Sequence, residues 1–103
     1  MSRLSGRRPL KIGLVLPIYE DDDGCTPRWS EIKALAQHGE AAGFDSLWVS
    51  DHLIFYFGGT GKPPHGVWEC WSILTSLAAV TTRVELGTTV VCTSFRNPAL
   101  LAK

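Results

Sequence analysis

The sequence carries no surplus of charge: ten basic and ten acidic residues cancel to a formal net charge of zero. Nucleic acid and anionic membrane surfaces attract proteins through a basic field, so neither is an expected partner. The one basic cluster, Arg3, Arg7, Arg8 and Lys11, reads as a solvated terminus, with residues 1–10 as a flexible tail. Long apolar runs are also missing. None reaches the roughly 18 residues a membrane helix needs, and the first ten residues lack the apolar segment of a secretory signal. Cysteine is scarce. Cys25, Cys70 and Cys92 are odd in number and no two are separated by two residues, which disfavours a zinc site and suits a reduced, cytoplasmic protein. The phosphate-loop pattern fails too, because Pro63 follows Gly61-Lys62 where Ser or Thr is needed.

What is present is an alternation. Residues 11–18, "KIGLVLPI", are short, β-branched and nearly all apolar, the pattern of a strand covered on both faces in a parallel sheet. Asp21 to Asp23 follow in a solvated turn; their consecutive spacing does not match a calcium loop. Thr26-Pro27 reads as the N-cap and first residue of a helix near 28–42. Ile32, Leu35, Ala36, Gly39 and Ala42 lie on one face of it, and Gly43 closes it. A second strand, Ser46 to Ser50, comes next. A glycine- and proline-bearing loop then runs from Leu53 to Gly66, readable as a lid or as a linker. A helix is expected over Val67 to Thr81, with Trp68, Trp71, Leu74, Leu77 and Ala78 on one face. The third strand is "VELGTTVVC", and Asn97-Pro98 opens another helix. A β-α-β-α-β order predicts parallel strands near 11–17, 46–50 and 84–91 joined by right-handed crossovers.

An open doubly wound sheet and a (β/α)8 barrel both fit this order. The first strand lacks a following G-x-G-x-x-G, which argues against a dinucleotide-binding domain. A barrel takes about 250 residues, so the chain would supply its first three strands and leave strand edges and the barrel-facing side uncovered. Ligands in either fold sit beyond the carboxyl ends of the strands, which draws attention to Pro17–Glu20, Ser50–His52 and Thr88–Cys92. Asp51-His52 is the most informative pair, since an acid and an imidazole at a strand end either bind a polar group, shuttle a proton, or form a simple cap. His65 and Glu69 have no spacing to Asp51 and His52 that would fix a metal, and none is expected.

The stretch "WECWSILTSLAAVTTRVELGTTVVCTSFRNPALLAK", with "AAGFDSLWVSDHL" upstream, resembles the luciferase-like monooxygenase family. The matching pieces are Leu-Ala-Ala-x-Thr, Thr-x-Arg-x-x-Leu-Gly-Thr and Phe-Arg-Asn-Pro-Ala-x-x-Ala-Lys, and together they span residues 11–103. The resemblance implies the N-terminal part of a (β/α)8 barrel. It implies an oxidoreductase that uses coenzyme F420 for hydride transfer, or alternatively reduced FMN for monooxygenation, on a small organic substrate. It places Asp51 and His52 in the cofactor pocket, with His52 as a hydrogen-bonding or proton-transfer group. It also implies a non-prolyl cis peptide at Thr89-Val90 in a bulge against the ring system, and puts Cys92 near the cofactor. Relatives often carry Thr there, and a thiol is the poorer donor. A homo-oligomer is expected of the full-length protein, and the fragment alone is expected to be inactive. Two other readings stand beside this one. One is a metal-dependent barrel hydrolase built on Asp51 and His52, and the other is a non-catalytic assembly module.

Overall fold

The computed structural model describes residues 10–103, so the expectation of a flexible tail over residues 1–10 lies almost wholly outside the described residues. Three strands, β1 (Gly13–Val15), β2 (Ser46–Val49) and β3 (Glu85–Thr88), form one sheet in the order β1-β2-β3. Both pairings are parallel, with Leu14 opposite Leu47 and Leu47 opposite Leu86. Helix α1 (Trp29–Ala42) joins β1 to β2, and α2 (Cys70–Ala78) joins β2 to β3. A 3-10 turn at Thr93–Phe95 leads into the short α3 (Pro98–Leu101). Among the described residues, no helix is long and apolar enough to cross a membrane.

The core lies between the helices and one face of the sheet. Leu16, Ile18, Leu47 and Val49 from the strands and their ends meet Ile32 and Ala36 of α1 and Cys70, Ile73, Leu74 and Leu77 of α2. Burying each large aliphatic side chain contributes about 1.5–3 kcal/mol. Gly39 lets α1 approach closely, since a Cβ there would stand 3.0 Å from Leu14 Cδ2 and 3.7 Å from Leu47 Cδ2. The helical faces differ in part from the sequence expectation: Leu35 and Ala42 of α1 are exposed, as are Trp68, Trp71 and Ala78 around α2. The burial expected of both sheet faces is likewise limited to one. Val15 is 55% exposed and Trp48 37%, and they share the face that no helix covers. Trp48 lies over β1 and β3, where Gly13 and Gly87 leave room: a Cβ at Gly87 would stand 2.6 Å from the indole. Its Nε1–H donates to Ser46 Oγ at 2.8 Å.

Two helix starts are corrected. α1 begins after Arg28, not Thr26, because the Glu31 carboxylate reaches back to accept the Arg28 N–H at 2.7 Å. α2 begins at Cys70, not Val67. Val67 pairs with Tyr19, Trp68 N–H donates to Ile18 O, and Glu69 caps the helix by accepting the Trp71 and Ser72 amides. α2 also stops at Ala78 and not at Thr81, while two other expected ends hold. Gly43 closes α1 at φ 100°, and Asn97 caps α3 with Pro98 as its first residue.

Glu40, near the end of α1, sets the entry to β3. Its Oε2 accepts the N–H groups of Thr82, Arg83 and Val84 at 3.0, 2.7 and 3.0 Å. The Arg83 guanidinium returns to the carbonyls of Glu40 and Phe44, both at 2.7 Å. The amides of Arg83 and Val84 hold the Glu40 carboxyl below its ordinary value of 4.5. A depressed folded pKa gives stability that is present above 4.5 and lost as pH falls through the lower folded value. The midpoint of urea unfolding should therefore fall below pH 4.5 in the wild type and fall less in Glu40→Gln. The same pH dependence in both proteins would remove Glu40 as its source.

Candidate functional site

Three segments gather at the carboxyl end of the sheet. Asp51, directly beyond β2, is 6% exposed. Its Oδ2 accepts the Cys92 N–H at 2.8 Å and its Oδ1 accepts Arg96 Nη2–H at 2.7 Å. The acid at the end of β2 is thus joined to the segment that follows β3. That segment leaves the sheet with Thr89 N–H donating to Val49 O at 2.8 Å, and its Thr89–Val90 peptide bond is cis. Val90 is 64% exposed and Val91 is exposed beside it. Cys92 is half-buried and meets Asp51 through its backbone.

His52 contrasts with its neighbour. Asp51 is buried and turned to protein partners, while the His52 imidazole is exposed at the surface. Its ring stands edge-on to Phe55, with centroids 4.9 Å apart and planes at 90°. Phe55 in turn stacks on Tyr19 at 5.1 Å, and Phe57 contacts both rings at 4.6 Å. An aromatic wall therefore runs from the β1 end to His52.

The 53–66 stretch is a tied hairpin and not a plain linker. Phe55 and His65 exchange both backbone hydrogen bonds, at 2.9 and 2.7 Å. His65 is buried, and its Nδ1 lies 2.9 Å from Glu20 O, a geometry that requires Nδ1 to carry the hydrogen. Glu20 grips the same strand again, accepting the Gly66 N–H through Oε2 at 2.7 Å and donating its own N–H to Gly66 O. His65 is thus a structural clasp. Among the described residues, no group of three or more His, Cys, Asp and Glu side chains is arranged to hold a metal.

The structure ties Asp51 to Cys92 and hangs Thr89 on Val49 of β2, with Val90 next in the chain; His52 follows Asp51 but turns its ring to Phe55. Sequence reasoning did not single out Arg96. Besides Asp51 it reaches Glu69 Oε1 at 3.4 Å, and its guanidinium lies 5.1 Å from the centre of the Trp71 ring. The only available signal was its place in "FRNP", 45 residues from Asp51. Burial works to raise the Glu69 carboxyl, but the Ser72 hydroxyl, the amides of Ser72 and Trp71, and Arg96 hold it below its ordinary value. The Cys70 thiol is pushed up to about 11, first by burial and then by the Asp51 charge, which leaves it inert as a nucleophile.

The profile of the luciferase-like monooxygenases matches residues 10–103. Among curated proteins, the chain is 34% identical over 98 residues to an F420-dependent glucose-6-phosphate dehydrogenase of Kineococcus radiotolerans, covering 93% of this chain and 26% of that protein. It is 38% identical over 69 residues to the protein of that name from Amycolatopsis mediterranei, covering 66% and 20%. It is 39% identical over 74 residues to the one from Mycobacterium avium, covering 71% and 21%. The chain thus spans about a quarter or less of the length of these relatives. The three parallel strands and a family match running through all of them lead to one conclusion: the chain belongs to the luciferase-like monooxygenase family.

Proposed function

We propose that the chain forms the first three βα units of a barrel oxidoreductase that uses coenzyme F420 in hydride transfer with a small organic substrate. The observation that carries this reading is the pairing of an exposed imidazole, His52, just beyond the end of β2 with two exposed valines, Val90 and Val91, just beyond the end of the neighbouring β3. A flat conjugated ring needs an apolar support under its face and a polar group near its edge, and these residues offer both. The donor set thus fits the coenzyme, and the names of the relatives support the deazaflavin over FMN. When bound, the coenzyme supplies the hydride chemistry. His52 holds or moves a proton at an imidazole nitrogen near the reacting edge. Thr89 and Val90 support the ring, Cys92 lies at the rim, and Asp51 holds the segment that carries them. The Tyr19, Phe55 and Phe57 rings exclude water from the side of His52. The bare sheet face under Trp48 supports the view that further strands close the barrel there.

Binding tests this directly. The full-length protein should bind F420 at least about tenfold more tightly than FMN, a difference of about 1.4 kcal/mol, measured by fluorescence titration of each. Glucose 6-phosphate is the first substrate to try with the loaded protein, given the names of the relatives. Tighter binding of FMN would overturn the cofactor assignment.

A further inference from the structure

The contacts of Arg96 span three parts of the fold. Through Asp51 it touches the end of β2, through Glu69 and Trp71 the start of α2, and its own backbone belongs to the segment after β3. Exposed ion pairs contribute little. This one is enclosed, with the Asp51 side chain 5% and the Arg96 side chain 19% exposed. Asp51 uses both carboxylate oxygens on the one segment, Oδ1 on Arg96 and Oδ2 on the Cys92 amide. These two bonds close a ring of covalent and hydrogen bonds through residues 92–96. Its near side, Cys92, lies two residues after Val90, and its far side, Asp51, directly before His52.

We infer that Arg96 is a positioning residue. Acting through Asp51, it fixes the 89–92 segment relative to His52 and so sets the width of the cofactor cleft. Asp51 on this account is a brace whose side chain does not itself meet the cofactor. The fastening stands on the geometry alone, while its consequence for the cleft rests on the F420 reading above.

The test compares Arg96→Gln, Asp51→Asn, the double variant and Arg96→Lys in the full-length protein. Amide hydrogen exchange is followed at Cys92, and F420 affinity is measured by fluorescence titration and corrected for the folded fraction. Losing a charge-assisted hydrogen bond should speed exchange at Cys92 and weaken F420 binding by about tenfold in each single variant. Because the two residues act as one unit, the double variant should be little worse than either single. Arg96→Lys keeps a cation within reach of Asp51 and should recover part of both losses. Losses that add in the double variant would overturn the inference. So would unchanged Cys92 exchange in Arg96→Gln, or unchanged F420 affinity per folded molecule in a variant that is merely less stable. A wild-type protein that does not bind F420 would overturn the cofactor reading and the effect on the cleft together. The exchange result would still decide the fastening.

Discussion

His52→Ala in the full-length protein should slow single-turnover hydride transfer by about 10²-fold or more, the range for a positioned acid-base group. The imidazole has little structural work to lose. It is exposed, and it stands edge-on to the Phe55 ring. If packing on Phe55 were its whole role, the substitution would cost on the order of 1 kcal/mol of stability and leave turnover per folded molecule nearly intact. The two cases separate cleanly when rates are corrected for the folded fraction. Equal rates for wild type and variant would remove His52 from the chemistry while leaving the fold and family untouched.

Leu47→Ala should cost about 2–5 kcal/mol, the range for emptying a fully buried leucine site. Leu47 sits at the centre of the middle strand, pairs with Leu14 and Leu86, and is fully enclosed under α1. Rigid backbone on both sides prevents collapse of the cavity. Leu14→Ala on the edge strand should cost less, because Leu14 is only partly buried. Urea unfolding of both variants measures the difference. A loss under about 1 kcal/mol for Leu47→Ala would mean that the helices do not pack on the sheet as described.

The alternation of strands and helices was legible because each element carries its own period. Gly43 and Asn97-Pro98 were legible because caps are local chemistry. The start of α1 was harder to see, since it is set by Glu31 reaching back, while Pro27 O is taken by the Trp68 indole from 41 residues away. The start of α2 was missed for a similar reason: Val67 and Trp68 pair with the chain beyond β1, a contact that no window of sequence contains. At the site, the strand-end rule pointed to Asp51 and His52 as a pair, and the resemblance pointed to Thr89-Val90. What the sequence could not convey was the contrast between a buried, bonded Asp51 and an exposed His52. That depends on Arg96, a partner visible only once β2 and β3 lie side by side.

The clasp between Phe55 and His65, with Glu20 holding its base, bears on the thermodynamics of ligand capture. A loose segment of this length would have to be immobilised at the moment of binding, at about 0.5–1.5 kcal/mol for each side chain ordered. Here Tyr19, Phe55 and Phe57 are already locked against one another, so that entropy is surrendered during folding. On the proposed function, a ligand at His52 would meet a wall in its final shape. Association at this end of the barrel should then resemble docking to a rigid surface, with few backbone changes near the wall and an affinity that reflects contacts made more than order imposed.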